Sequence, residues 1–245
     1  MRDKLLSLIK KEGYKVSGEV ETAVNQLLEI MNAHDKSDIK DILKWLKEKR
    51  KNHPKIVEEI GINKLDRWKT DPETGNIIHE SGNFFQMVGI RVTGAKDREV
   101  ISWTQPIIKQ YECGILGILC KKINGVIHYL LWAKFEPGSI INPQLSPTLQ
   151  ATYSNLQRFH GGKKPRFAEY FENKGIGKII VNVEHVEDPS RFYLKTNRCM
   201  IVEIPEDDDV EIPEDFIWLT LPQIKKLLKI DLAVNALARA VFGSM

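Results

Sequence analysis

A chain of 245 residues with 42% hydrophobic and 28% charged residues has a globular composition and can bury a sizeable core, as one large domain or two small ones. A net charge of +3 is too small to imply nucleic-acid binding, and none is expected; the one dense basic run, Lys47-Glu-Lys-Arg-Lys51, reads as a solvated helix end. Three cysteines (Cys113, Cys120 and Cys199) without a CxxC pair exclude a disulfide framework and a structural zinc site; with no apolar leader core and no bilayer-length run, a cytoplasmic, membrane-free protein is expected.

The first part of the chain reads as helical. Leu5, Leu6, Leu8 and Ile9 precede Gly13. Val20, Val24, Leu27, Leu28 and Met31 then recur at helical spacing, as do Ile39, Ile42, Leu43 and Leu46. Ser17 and Ser37 are the expected N-caps of the second and third helices, and residues 54–62 suggest a short fourth. From about residue 70 the texture changes. Thr70-Asp-Pro-Glu-Thr-Gly-Asn76 is a turn cluster, followed by strand-like segments at 84–92, 107–111, 115–121 and 126–135. Asn124-Gly125 marks a tight hairpin between the last two. A polar strand at 144–154, a helix near 166–172, strands at 179–185 and 200–204, an acidic loop at 205–209 and helices at 222–228 and 232–241 complete the pattern. A mostly antiparallel mixed sheet with helices is an α+β fold, here a helical segment over 1–64 followed by a module over 65–245.

The segment Gln144-Leu-Ser-Pro-Thr-Leu-Gln-Ala-Thr-Tyr-Ser154 alternates uncharged polar residues (Gln144, Ser146, Thr148, Gln150, Thr152 and Ser154) with others. In an extended chain these side chains share one face. A row of amides and hydroxyls without Lys or Glu suits a ligand made of hydroxyls and carbonyls, such as a sugar. The alternative is a solvated strand face that lacks charge.

The chain resembles the NDP-hexose 2,3-dehydratases of deoxysugar biosynthesis. The matching pieces are His79-Glu-Ser-Gly-Asn-Phe-Phe85, Trp103-Thr-Gln-Pro106, Ala133-Lys-Phe-Glu-Pro-Gly138, Gln144-Leu-Ser-Pro-Thr148 with Gln150-Ala-Thr152, Ser154-Asn155, Asn197-Arg198 and Trp218-Leu-Thr-Leu221. They run in the family's order over roughly residues 65–243. The resemblance implies a Nudix-like α/β/α sandwich. It also implies a 4-keto-6-deoxy sugar nucleotide as substrate, dTDP-linked first, and loss of water across C2–C3. The chemistry calls for a base, an acid and donors aimed at O4, with neither metal nor redox cofactor. The Arg-Glu-x-x-Glu-Glu helix of a magnesium-dependent Nudix hydrolase is missing from the sequence, as are Walker A, GxGxxG and GxSxG motifs. Family members carry two such modules in tandem and this sequence matches one, so a homodimer that recreates the pair is expected.

The resemblance points to Glu136 as acid or base; the alternative is a strand-end carboxylate paired with Lys134, which shares its strand face. Tyr153 and His160 are the other proton-transfer candidates, Tyr153 on the face opposite the polar row and His160 before the Gly161-Gly162 pair. Trp103 and Gln105 are candidate ligand contacts, with core packing the alternative for Trp103. Asn155 belongs to the matched segment. Arg198 is a candidate partner of the diphosphate, with a surface salt bridge as its alternative. The second functional reading is a nucleotide-sugar-binding module without turnover.

Overall fold

The computed structural model describes residues 1–33, 37–53, 56–158, 161–172 and 175–245. Among these, the helices are α1 (Arg2–Lys11), α2 (Gly18–Asn32), α3 (Lys40–Lys51), α4 (Tyr153–Leu156), α5 (Ala168–Phe171), α6 (Leu221–Leu227) and α7 (Ala236–Gly243). The strands are β1 (Trp68–Thr70), β2 (Ile77–His79), β3 (Gln86–Val92), β4 (Trp103–Lys109), β5 (Gly114–Ile123), β6 (Val126–Lys134), β7 (Gln144–Ser146), β8 (Leu149–Ala151), β9 (Lys178–Val186), β10 (Phe192–Tyr193), β11 (Thr196–Glu203) and β12 (Phe216–Thr220). The class is α+β with mixed, mainly antiparallel sheets and N-terminal helices, as expected. No helix among the described residues is long and apolar enough to cross a membrane. The chain divides into two compact units.

The first unit comprises Met1–His53, Ile118–Thr148 and Val202–Gly243. Ser17 caps α2 as expected, accepting the Val20 N–H at 3.5 Å. The cap expected at Ser37 falls instead on Ile39, which offers no side-chain cap, while the Asp38 carboxylate just ahead of it accepts the Lys40 N–H at 3.0 Å. Ser37 instead receives the Lys226 ammonium on its carbonyl and hydroxyl oxygens. On α3, Ile42 and Leu46 stand one turn apart and are buried, which fixes the inward face. Arg50, on the last turn of α3, donates to the carbonyls of Pro143 (3.1 Å) and Leu232 (2.7 Å). The strands of this unit run in the order β12–β6–β5–β11, with β7 on β6. Asn124 and Gly125 both have positive φ (52° and 77°), so the β5–β6 hairpin closes as its sequence predicts, Ile123 opposite Val126. Leu119, Leu130, Leu131, Leu145, Val202, Ile224 and Leu227 form the core. β12 lies antiparallel to β6 and passes directly into α6, where Thr220 and Gln223 form a capping box.

The second unit comprises Pro54–Gly117, Leu149–Ile201 and Ser244–Met245. The helix expected over 54–62 is not seen among the described residues there; a single 3-10 turn covers Ile62–Lys64. One sheet has the order β1–β2–β3–β4–β10. β4 begins at Trp103 rather than at 107, because Pro106 sits where the strand has no neighbour on its second side: β10 pairs only with Ile108 and Lys109. The other strands of the unit run β5–β11–β9, with β8 on β5 through Ile115↔Ala151 and Gly117↔Leu149. Gly117 is required by packing, since a Cβ there would stand 2.4 Å from the Phe171 ring.

Candidate functional site

The polar segment does not continue as one strand to Ser154. β7 stops at Ser146, Pro147-Thr148 interrupts the pairing, β8 covers Leu149–Ala151, and Thr152 caps α4 by accepting the Asn155 N–H at 3.4 Å. Strict alternation ends where the cap begins, so the residues of the row acquire different surroundings.

In the first unit, β6 ends at Lys134 and the chain turns through Glu136-Pro137-Gly138. The Lys134 ammonium donates to Glu136 Oε1 at 2.5 Å, with both side chains mostly enclosed. Asn142 clamps this turn. Its Oδ1 accepts the Glu136 N–H at 3.0 Å, and its Nδ2 donates to the carbonyls of Glu136 (2.8 Å) and Ser139 (3.2 Å). Lys134 also lies 5.6 Å from the Trp132 ring, which stacks on Phe216 and donates its Nε1–H to Asp215. The result is a fixed carboxylate–ammonium pair at a strand end.

Gln144, opposite Lys134 in the β6–β7 ladder, donates to the Leu232 carbonyl at 3.0 Å and accepts from Ser139 Oγ at 3.2 Å. Ser146 is fully buried, donating to the Gln144 carbonyl and accepting from Asn235 Nδ2 at 2.7 Å. Thr148 is 2% exposed; its hydroxyl donates to the Leu130 carbonyl and accepts the Leu119 N–H. These three side chains hold β7 and the following turn to their neighbours.

The second unit contains a cavity of about 370 Å³ lined by Gly82, Asn83, Phe84, Gln86, Lys109, Gln110, Tyr111, Glu112, Tyr153 and Ser154. Tyr153 and Ser154 are the predicted residues on its wall. Tyr153 is 56% exposed, whereas Ser154 is buried, with its hydroxyl 2.9 Å from that of Thr152. The Ser154 N–H donates to Glu112 Oε2 at 2.6 Å. Lys109 lies 4.9 Å from the Tyr111 ring. The matched segment at residues 79–85 forms one edge: the Ser81 hydroxyl is 2.8 Å from His79 Nδ1, and Gly82 has φ +69°, a turn that favours glycine.

Among the described residues, Trp103, Gln105, Gln150 and Arg198 are not on the cavity wall. Trp103 donates its Nε1–H to Gln105 Oε1 at 2.7 Å, and Gln105 donates to the Ser190 carbonyl at 3.1 Å. Gln150 faces Leu116 in the β5–β8 ladder, and its Oε1 is enclosed without a hydrogen-bond partner among the described residues. The Arg198 guanidinium donates to Asn182 Oδ1 (3.0 Å) and Glu184 Oε2 (3.1 Å). His160 lies outside the described residues.

Glu112, Lys109, Tyr111, Gln86 and Gln110 escaped the sequence reading, whereas Asn83 lies in the matched segment His79–Phe85. The run Lys109-Gln-Tyr-Glu112 at the end of β4 has no period that would single it out. Lys195 is another unread residue. It is 3% exposed, burial lowers its pKa, and its ammonium donates to the carbonyls of Glu112 and Thr196. No group of three or more His, Cys, Asp or Glu poised around a metal position occurs among the described residues.

The first unit holds a fixed Lys134–Glu136 ion pair at a strand end. The second unit holds a cavity with amide, phenol and carboxylate groups on its wall, donors and acceptors of the kind that hydroxyls and carbonyls can pair with. A model of the NDP-hexose 2,3-dehydratase family matches residues 39–245. The chain belongs to this family. The chain is similar to a dTDP-4-dehydro-6-deoxy-alpha-D-glucopyranose 2,3-dehydratase of Amycolatopsis orientalis, 42% identical over 209 residues, with 84% of this chain and 44% of that protein covered. A relative of the same description from Saccharopolyspora spinosa is 44% identical over 202 residues, covering 81% of this chain and 40% of that protein. The matched part of the chain thus covers less than half of each of these relatives. Among solved structures it is similar to a C. elegans Ap4A hydrolase (TM-score 0.36, 14% identity, 55% of this chain and 96% of that one). It is also similar to an ADP compounds hydrolase (TM-score 0.39, 11% identity, 77% of this chain and 93% of that one).

Proposed function

We propose that the chain is a hydro-lyase removing water across C2–C3 of a nucleotide-linked 4-keto-6-deoxyhexose, dTDP-linked in the first instance. The observation that carries this reading is the family match over residues 39–245, which includes the Lys134–Glu136 pair and the whole polar segment. The C4 ketone acidifies the hydrogen on C3. A base removes that proton and the charge rests on O4 as an enolate. The C2 hydroxyl, β to the carbonyl, leaves as water with a proton from an acid, and the C3 enol tautomerises to a 3,4-diketo-2,6-dideoxy sugar. Glu136 transfers protons in this scheme, and Lys134 keeps its carboxylate oriented. Each step is a proton transfer or a C–O cleavage assisted by the ketone, so the scheme runs without a metal or a redox cofactor. The protein works in the cytoplasm, where its thiols stay reduced, as a homodimer.

The test uses the purified protein with a chelator and dTDP-4-keto-6-deoxyglucose. Turnover is read as reductase-trapped product or as released nucleoside diphosphate. Turnover under chelation supports the metal-free hydro-lyase. Binding without turnover supports the second reading, a nucleotide-sugar-binding module.

A further inference from the structure

Glu112 is held at both its ends. Its side chain accepts the Ser154 N–H through Oε2 at 2.6 Å, and its peptide carbonyl accepts the Lys195 ammonium. Lys195 is 3% exposed, and the hydrogen bonds of its ammonium go to two main-chain carbonyls, those of Glu112 and Thr196. A cation buried against carbonyl dipoles is a costly arrangement compared with one in water. Here it fixes the chain just before β5, at the residue whose side chain lines the cavity. The layer beneath is equally tight. A Cβ on Gly114 would stand 2.5 Å from Asn197 Oδ1, and Asn197 donates its amide to Glu187. The stretch carrying Glu112 therefore has little freedom to slide.

The cavity wall shows what such a carboxylate would meet. Asn83, Gln86 and Gln110 bring amides, and Tyr111 and Tyr153 bring phenols. Groups of this kind, each both donor and acceptor, bind hydroxyls and carbonyls, and aromatic faces cover the apolar side of a pyranose ring. Glu112 is the acidic residue among the described residues of the wall. A carboxylate fixed by a backbone N–H amid polyol-binding groups is placed for proton transfer rather than for anion recognition, since a diphosphate would be repelled by it.

We propose that Glu112 is a catalytic residue of this cavity, taking the C3 proton of the bound hexose, and that Lys195 is its positioning residue. The proposal rests on the dehydratase reading above and adds a residue to it. In the step, the C3–H bond breaks and its proton goes to the Glu112 carboxylate. The bonding pair moves into C3–C4 and the carbonyl pair onto O4. Collapse of the enolate re-forms the C4 carbonyl, makes the C2–C3 double bond and breaks C2–O. The departing hydroxyl takes a proton from a general acid and leaves as water; the proton held by Glu112 returns through solvent to that acid.

The experiment compares the wild-type chain with Glu112→Gln, Glu112→Asp, Lys195→Met and Lys195→Arg. It measures turnover, substrate affinity by calorimetry, and deuterium entry at C3 of recovered substrate in D2O. Glu112→Gln still accepts the Ser154 N–H, so the fold is retained and circular dichroism verifies it. Turnover and C3 exchange are expected to fall together by about 10²–10⁴-fold with affinity within about threefold of wild type. Glu112→Asp is expected to fall between. Lys195→Met is expected to lower kcat at unchanged affinity, with partial rescue by Lys195→Arg. Wild-type turnover alongside near-normal Glu112→Gln turnover overturns the role of Glu112 and leaves the dehydratase reading intact. Equal losses of rate and affinity make Glu112 a binding group and also overturn it. A wild-type chain that neither turns over nor exchanges C3–H removes the dehydratase reading itself.

Discussion

Tyr129 donates its hydroxyl to Glu29 Oε2 at 3.3 Å, joining β6 to α2 through a half-buried carboxyl group whose other oxygen has no partner among the described residues. Burial raises the Glu29 pKa to about 7, against the smaller lowering by the Tyr129 hydrogen bond and by Lys225. In the unfolded chain this carboxyl titrates near the ordinary value of 4.5. Between these values the folded state binds more protons than the unfolded state. Its stabilising contribution is full below about 4.5 and is lost as the pH rises through about 7. With solvent screening of a partly exposed group, the loss is on the order of 1–2 kcal/mol. Urea titrations at pH 5 and pH 8 measure it. Glu29→Gln is expected to flatten this pH dependence, and an unchanged slope in the variant would locate it elsewhere.

Glu136→Gln preserves shape, leaves an acceptor for Lys134 and removes the ionisable group. If Glu136 transfers protons, turnover falls by about 10²–10⁴-fold while substrate affinity is largely kept. Steady-state kinetics beside calorimetry separate the two quantities. A variant with near-normal turnover removes Glu136 from the chemistry and leaves the Lys134 pair a structural feature.

The Thr148 hydroxyl serves two main-chain groups at once, the Leu130 carbonyl and the Leu119 N–H. Thr148→Val is nearly the same shape but leaves both unpaired in a dry interior. The expected cost is about 2–4 kcal/mol, from two unmet polar groups. Thr148→Ser keeps the hydroxyl and should lose clearly less. Denaturant midpoints of the pair decide the matter, and equal losses would show that the methyl, not the hydroxyl, is what counts.

The expected homodimer makes a concentration test. The matched part of the chain covers 44% and 40% of the two relatives named above, so two copies of the chain come close to the size of one such relative. Sedimentation equilibrium at micromolar protein should give about twice the 28.1 kDa of one chain. A single species at the monomer mass rules the dimer out.

Periodic elements were legible in the sequence. The apolar stripes Val20–Met31 and Ile39–Leu46 placed α2 and α3, and Asn124-Gly125 placed the hairpin, because side-chain spacing and turn chemistry are local. The Ser37 cap was not legible, since Ser37 was drawn to Lys226, a partner 189 residues away. Nor was the fate of the polar segment. Alternation predicts a common face only while the chain stays extended, and Pro147 and the Thr152 cap end that. Glu112 and Lys195 carried no pattern at all; what sets them apart is a cavity wall and a buried ammonium, which exist only after folding.

Arg50 bears on where the chain can be cut. Its guanidinium closes the carbonyls of Pro143 and Leu232, which belong to the loops flanking β7 and α7. A shortened version that starts beyond α3 removes the donor and leaves two carbonyl groups to water, along with the apolar surface that Ile42 and Leu46 cover. The family match starts at residue 39, one position ahead of the helix that carries Arg50. A fusion partner or affinity tag is thus best joined ahead of Ile39, where α3 and its two loop contacts remain on the same polypeptide.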